Sequence, residues 1–233
     1  MHWVRDRYRW SWVIGSLLLG CGQGKQPPAA APAKDIPPPV DTRPVVLFVG
    51  TSLTAGLGLS PAEAFPAQIQ AKIDSAALDF RVISAGVSGE TSAGALRRMD
   101  WLLSQQPVAV VVLETGANDG LRGQSVDSLR ANLEAILDRA ERQLPPPIVV
   151  LAGMEAPPNL GRSYATRFRA VFSDVARRRH AHFLPFLLNG VAGIDSLNQA
   201  DGIHPTPLGA RLAARNIWTV LAPLLDSITA AGR

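Results

Sequence analysis

From residue 45 onward, short runs of apolar residues alternate with longer amphipathic stretches. The apolar runs predict five strands, which are Val45–Val49, Phe80–Ser84, Val108–Leu113, Ile148–Ala152 and His182–Phe186. Several of these runs are continuous in Val, Ile and Leu, which is typical of strands buried on both faces of a parallel sheet. The alternation therefore predicts an α/β fold of three layers, α/β/α, with a central parallel sheet of about five strands.

The amphipathic stretches predict helices that cover this sheet. One has a buried face at helical spacing, made of Leu129, Leu133, Ile136, Leu137, Ala140 and Leu144. The last helix repeats the pattern with Ile217, Val220, Leu221, Leu224 and Leu225. In such open sheets, ligands bind beyond the carboxyl ends of the strands, so the loops that follow the strands are where a site is expected.

Four segments in these positions carry reactive or glycine-rich sequence: 50–59 "GTSLTAGLGL", 85–94 "AGVSGETSAG", 114–123 "ETGANDGLRG" and 201–206 "DGIHPT". The first follows a buried strand and contains one serine, Ser52. A serine hydroxyl becomes a good nucleophile only when a base accepts its proton, and His204 is the candidate base. Asp201, three residues earlier, can orient the imidazole and stabilise its charged form.

An acyl-transfer site also needs hydrogen-bond donors for the oxyanion of the tetrahedral intermediate. The backbone N–H of Ser52 and an N–H from a glycine turn can supply two donors. The side-chain amide of Asn118 can supply a third. The four segments together thus predict hydrolysis through an acyl-serine intermediate.

In this order, the four segments resemble the GDSL, or SGNH, hydrolase family, most closely its bacterial arylesterase, acyl-thioesterase and lysophospholipase branch. The resemblance covers about residues 45–222 and implies a flavodoxin-like fold. It places the nucleophile on Ser52, the oxyanion donors on Ser52, Gly89 and Asn118, and the acid and base on Asp201 and His204. It implies no metal and no organic cofactor.

The sequence departs from the family pattern next to the nucleophile, where the usual aspartate is Thr51. Because Asp201 already supplies the carboxylate behind His204, an aspartate here is not needed for acid–base work. We expect the Thr51 hydroxyl to accept a hydrogen bond from a neighbouring backbone amide. We also expect the hydrogen-bond donors around position 51 to be arranged for the neutral side chain of Thr51 rather than for a carboxylate.

Each candidate also has a purely structural interpretation. Ser52 could be only a helix N-cap, Asn118 could belong to a turn, and Gly89 could be only a hinge with a positive φ. Asp119 is interpreted as structural. His180 and His182 are interpreted as a helix end and a strand start rather than as metal ligands, because no other ligand lies near them in sequence. Glu63 and Glu155 lack the matched partner that a two-carboxylate glycosidase requires.

The length and composition of the chain are consistent with one domain that carries these motifs and is preceded by an N-terminal targeting segment. The chain has 233 residues and a formal net charge of +4, to which Arg5, Arg7 and Arg9 contribute. No Lys/Arg run is interleaved with aromatic residues, so nucleic acid is not an expected partner. No feature indicates an obligate protein partner. The single cysteine, Cys21, excludes an internal disulfide.

Residues 1–20 are interpreted as a lipoprotein signal peptide, because a basic start precedes an apolar segment too short to span a membrane. "LLGC" resembles a bacterial lipobox, which makes Cys21 the lipidated first residue of the mature protein. Residues 21–44, rich in Pro and Ala, are interpreted as a tether, and residues 45–228 as the hydrolase domain. Gly22 after the cysteine favours the outer membrane, facing the periplasm, by resemblance to Gram-negative sorting rules.

By resemblance, the substrates are aryl esters, esters of short or medium acyl chains, lysophospholipids or thioesters. An envelope enzyme would rarely meet acyl-CoA, so we rank esters above thioesters. Two alternatives stay open. The same fold supports carbohydrate O-acetyl esterases, and the chain could also be a binding lipoprotein that has lost catalysis.

Overall fold

The computed structural model describes residues 41–232. Its sheet confirms the predicted fold class, with five strands in the order β2-β1-β3-β4-β5. All neighbouring strands are parallel, and this order is that of the flavodoxin-like arrangement. The strands are β1 (Val45–Gly50), β2 (Arg81–Gly86), β3 (Val108–Glu114), β4 (Ile148–Ala152) and β5 (His182–Leu184).

Seven α-helices accompany the sheet within the described residues. They are α1 (Ser52–Ala55), α2 (Phe65–Ser75), α3 (Ser92–Ser104), α4 (Ala117–Leu121), α5 (Val126–Glu141), α6 (Arg162–Arg178) and α7 (Pro207–Ala231). Helices α3, α5 and α6 pack side by side, whereas α2 packs against α7. The sheet lies between these two groups, which gives the three predicted layers.

The central strands form the core because their side chains are apolar on both faces. All six residues of β1 are buried, as are the last five of β3. Phe48 on β1 meets Phe65 of α2 edge to face, with ring centroids 5.5 Å apart. On the other side, Phe168 and Phe172 of α6 make a similar contact at 5.4 Å. Close packing of this core therefore fixes the positions of the carboxyl ends of β1 and β3.

Several predicted boundaries were wrong. Strand β2 runs over Arg81–Gly86 rather than Phe80–Ser84, and β1 and β3 each extend one residue beyond the prediction. Two further errors lie beside a proline. Leu144 does not belong to the buried face of α5, which ends at Glu141, and its side chain is 94% exposed. It precedes Pro145, and the residue before a proline is disfavoured in helical conformation. Strand β5 ends at Leu184 rather than Phe186, because Pro185 has no N–H to donate to a sheet.

The predicted signal peptide, Cys21 and most of the tether lie outside the described residues. Within residues 41–232, every helix is too short or too polar to cross a bilayer.

Candidate active site

The turn that carries Ser52 follows the central strand β1 directly. Thr51 is the N-cap of α1 in extended conformation, and Ser52 is the first residue of the helix. Gly50 is required here, because a Cβ at this position would lie 1.9 Å from Oγ1 of Thr54. Ser52 is only 8% exposed. The sharp turn therefore places its hydroxyl at the carboxyl edge of the sheet, as the sequence predicted.

Ser52, His204 and Asp201 form a continuous hydrogen-bonded chain. The Oγ of Ser52 lies 2.8 Å from Nε2 of His204, and Nδ1 of His204 lies 2.6 Å from Oδ2 of Asp201. A carboxylate can only accept, so Nδ1 carries the proton and leaves Nε2 free to accept the proton of Ser52. The structure thus brings the three residues together in the arrangement of a Ser-His-Asp triad.

Asp201 is also held by the backbone of its own loop. Its Oδ1 accepts the N–H groups of Ile203 and His204 at 2.9 and 3.0 Å. The hydrogen bonds from the backbone and ring of His204, with that from the Ile203 amide, lower the pKa of Asp201 to about 2. Gly202 has a φ of +70°, which closes the turn between the acid and the base. The three-residue spacing therefore places both side chains on one loop before α7.

Gly89 and Asn118, the predicted oxyanion donors, line the same cavity as Ser52 and His204. Gly89 has a φ of +77°, so the hinge interpretation and the donor interpretation are both compatible with the structure. The Nδ2 of Asn118 donates to the carbonyl of Glu90 at 3.0 Å. Because an amide NH₂ has two hydrogens, one is left for a bound substrate.

The loop that carries Gly89 is braced by an ion pair. Arg98 on α3 pairs with the carboxylate of Glu90 at 2.7 Å and donates to the carbonyl of Ala85 at 2.6 Å. The loop is also joined to Arg122, which donates to the carbonyl of Gly89 at 2.9 Å. Sequence reasoning missed this brace, although an Arg eight residues after Glu90 was a visible signal.

Asp119 has the structural role that the sequence favoured. It is 2% exposed and accepts the N–H and hydroxyl of Ser92 at 2.8 and 2.6 Å. Asn132 of α5 donates to the same hydroxyl at 2.9 Å. These bonds tie α4 to the start of α3 and so hold Asn118 opposite the Gly89 loop.

The expectation for Thr51 was wrong, because its partner is a carboxylate. The N–H and hydroxyl of Thr51 both donate to Glu114, at 2.8 and 2.9 Å. Glu114 is fully buried at the end of β3. Burial raises the pKa of its carboxyl, and the hydrogen bonds from Thr51 and Thr54 oppose that effect. A charged residue at the end of the apolar run "VAVVVL" was the sequence signal for Glu114.

A mainly apolar cavity of about 550 Å³ opens beside Ser52. Its apolar walls include Leu57, Leu121, Met154, Ala156, Pro157, Phe186, Leu188 and Ile203. Three of these, Leu57, Leu121 and Ile203, are 44–46% exposed at the surface. The cavity can therefore hold an apolar group attached to a carbonyl that reaches Ser52.

The other titratable candidates lie apart from the triad or are already paired. His180 follows the end of α6 and His182 begins β5, as predicted, and both are exposed. Glu63 accepts hydrogen bonds from Ser60. Glu155 lines the cavity but pairs with Arg169 at 3.1 Å. Among residues 41–232, no three His, Cys, Asp or Glu side chains are grouped as metal ligands.

The chain is similar to known proteins that are named as esterases or thioesterases. The chain is similar to esterase TesA of Pseudomonas aeruginosa, with 39% identity over 180 residues, 77% of this chain and 89% of that protein. It is 34% identical to thioesterase 1/protease 1/lysophospholipase L1 of Escherichia coli K12 over 181 residues, 78% of this chain and 85% of that protein.

A solved structure shares the fold over nearly the same range. The psychrotrophic esterase EstA from Pseudoalteromonas sp. superposes with a TM-score of 0.73 and 34% identity, covering 78% of this chain and 98% of that chain. The family model described as GDSL-like Lipase/Acylhydrolase matches residues 48–212. This chain therefore belongs to the GDSL-like lipase/acylhydrolase family.

Proposed function

We propose that this chain hydrolyses carboxylic esters through an acyl-serine intermediate on Ser52. The observation that carries the proposal is the Ser52–His204–Asp201 chain, with contacts of 2.8 and 2.6 Å at the mouth of an apolar cavity. Membership of an acylhydrolase family and similarity to proteins named as esterases support it. The alternative of a binding protein that has lost catalysis does not account for a nucleophile, a base and an orienting carboxylate aligned in one hydrogen-bonded chain.

In the first half of the reaction, Oγ of Ser52 attacks the ester carbonyl carbon while Nε2 of His204 takes the hydroxyl proton. The resulting oxyanion accepts hydrogen bonds from the N–H groups of Ser52 and Gly89 and from the amide of Asn118. Donors held in place before the reaction need no reorganisation as the charge develops, which makes such stabilisation effective. Asp201 keeps the imidazole in the tautomer that can accept the proton.

Collapse of the intermediate breaks the ester bond, and His204 gives its proton to the departing alcohol. Water then attacks the acyl-serine, with His204 again accepting a proton. The second collapse releases the carboxylic acid, and the proton returns to Oγ of Ser52. Each proton therefore moves through one nitrogen, Nε2 of His204, and no external oxidant, reductant or metal is needed.

The substrate class follows from the cavity rather than from the triad. Its apolar walls suit an acyl or aryl group, because removing apolar surface from water contributes roughly 25 cal/mol per Å². We therefore rank aryl esters and esters of short or medium acyl chains first, with lysophospholipids and thioesters behind them. A carbohydrate O-acetyl substrate would leave its hydroxyl groups facing mainly apolar side chains.

A panel of p-nitrophenyl esters from acetyl to palmitoyl, with acetylated xylan and a lysophospholipid, tests this ranking. We expect kcat/KM to rise from acetyl to a medium chain, since each buried methylene contributes about 0.8 kcal/mol. Hydrolysis confined to acetylated xylan would replace this substrate class with the carbohydrate one. No turnover of any ester, together with no labelling of Ser52 by a fluorophosphonate, would favour the binding protein.

Activity is expected to fall on acidification as one proton binds His204, because a protonated imidazole cannot accept the Ser52 proton. Asp201 does not bind a second proton until the pH approaches its own pKa, which is lowered to about 2. A plot of log kcat/KM against pH should therefore show an acid limb of slope one.

The same shift predicts the pH window in which Asp201 stabilises the fold. Its contribution is complete above the unfolded-state pKa of about 3.9, and it is lost as the pH falls towards the folded value of about 2. As the pH is lowered, activity should therefore fall before the protein begins to unfold. Thermal melts at each pH measure the stability of the fold. An acid limb of slope two, or a rate that is constant down to pH 4, would contradict a single titrating base.

We further propose that Cys21 is lipidated and holds the domain at the bacterial cell envelope, on the outer membrane facing the periplasm. The support lies in the sequence: an Arg-rich start, a short apolar segment, "LLGC", and the Pro/Ala-rich tether after it. Stable anchoring requires more than one acyl chain. Mass spectrometry of the mature N-terminus should find a multiply acylated Cys21, and an unmodified terminus elsewhere would end this proposal.

A further inference from the structure

Glu114 is a buried carboxylate that the proposed chemistry does not use. It is 0% exposed and lies at the end of β3, where it faces Gly50 of β1 in the register of the sheet. Its Oε2 accepts the N–H of Thr51 at 2.8 Å and the hydroxyl of Thr54 at 2.8 Å. The Thr54 N–H approaches the same oxygen at 3.3 Å, and the Thr51 hydroxyl lies 2.9 Å from Oε1.

These bonds replace the local cap that α1 lacks. A helix start leaves backbone N–H groups without intrahelical partners, and the N-cap side chain commonly accepts one of them. Thr51 is the N-cap of α1, but its side chain makes no capping bond. Glu114 on β3 takes this role, although α1 follows β1. It accepts hydrogen bonds from the N–H groups and the side-chain hydroxyls of Thr51 and Thr54.

Ser52 lies between the two threonines that Glu114 holds. Its Oγ must stay 2.8 Å from Nε2 of His204, which comes from a distant loop. The fit around the carboxylate is tight, because a Cβ on Gly50 would lie 2.6 Å from Oε2 of Glu114. A rotation of α1 would therefore have to break bonds to Glu114 before it could move Ser52 away from His204.

We propose that Glu114 is a positioning residue of this enzyme, which acts through Thr51 and Thr54 to hold the Ser52 turn against His204. It does so as a hydrogen-bond acceptor: the backbone amides and hydroxyls need an oxygen, whatever the charge on the carboxyl group. A displacement of about 1 Å in a reacting group can cost on the order of a hundredfold in rate. This inference rests on the proposed role of Ser52 as nucleophile.

The test measures kcat and KM for p-nitrophenyl butyrate with the purified full chain. Glu114→Ala removes the acceptor, and we expect kcat to fall at least about a hundredfold while KM changes less than about threefold. Glu114→Gln keeps one carbonyl oxygen for the amides, and its kcat should stay within about tenfold of wild type. Rescue by the amide is not expected from a general loss of stability.

Val112→Ala is the matched control, because Val112 lies on the same strand and is 1% exposed but belongs to the packed core. It should lower Tm while keeping kcat within about threefold of wild type, at a temperature where all variants are folded. The inference is overturned if Glu114→Ala retains wild-type kcat. It is also overturned if Val112→Ala loses as much rate, or if Glu114→Gln is as slow as Glu114→Ala.

A second pair of variants decides the matter if Glu114→Ala does not fold. Thr54→Val removes the hydroxyl that donates to Glu114 with little change of shape, and Thr54→Ser keeps it. We expect Thr54→Ser to exceed Thr54→Val by about fivefold or more in kcat, and equal rates would refute the role of Glu114. If Ser52→Ala stays active, the proposed function has failed. If Ser52→Ala is inert while Glu114→Ala keeps the wild-type rate, the proposed function stands and only the role of Glu114 has failed.

Discussion

Ser52→Ala is expected to lower kcat for ester hydrolysis by on the order of 10⁶, as loss of a triad nucleophile does in other serine hydrolases. The physical reason is that Oγ of Ser52 is the atom that would bond to the substrate, and it lies 2.8 Å from the base. Alanine leaves the cavity, the oxyanion donors and His204 in place. The measurement is the initial rate with p-nitrophenyl butyrate at neutral pH, in the same assay for both proteins.

The fold should survive this substitution. Thr51, not Ser52, is the N-cap of α1, and alanine is a good helix former. Ser104→Ala is the matched control, since its hydroxyl donates only within α3, to the carbonyl of Trp101. Both variants should keep the wild-type Tm within a few degrees, and only Ser52→Ala should lose labelling by a fluorophosphonate. If Ser52→Ala kept a tenth of the wild-type rate, another residue would be the nucleophile.

His204→Ala should be nearly as damaging, and the double variant Ser52→Ala/His204→Ala should be little slower than either single one. Because the nucleophile and the base act as a unit, losing either one already removes most of the rate enhancement that the pair provides, and losing the second has little further effect. The loop itself should stay in place, because Asp201 still accepts the backbone N–H groups of residues 203 and 204. Steady-state rates of the four proteins complete the double-mutant cycle.

His182→Ala is the matched control for this cycle. His182 is an exposed histidine at the start of β5, and its loss should leave kcat/KM within about twofold. Losses that multiply in the double variant would mean that Ser52 and His204 do not act together. The triad assignment would then have to be withdrawn, even if each single variant were slow.

Both expectations could be reached from sequence because four local motifs, in the order found in the GDSL-like family, carry them. The segments Val108–Leu113 and Ile148–Ala152 are continuous apolar runs, and such runs indicate a parallel sheet covered on both faces. Because the strands are parallel, their carboxyl ends all lie at the same edge of the sheet. Asp201 and His204 are three residues apart, so one loop can align them. The wrong boundaries at Leu144 and Pro185 were local errors, and the prolines beside them were visible signals.

The sequence by itself therefore determined the class of fold, the edge of the sheet where the site lies and the residue types that could carry acyl transfer. The family resemblance already assigned Ser52 and His204 to one triad, but only the tertiary structure showed their contact and the contact between Thr51 and Glu114. Ser52 and His204 are 152 positions apart and Glu114 is 63 positions from Thr51, so no spacing rule relates them. A buried carboxylate must find its donors wherever the packed strands place them. That is why Thr51 has a partner that its neighbours in sequence could not reveal.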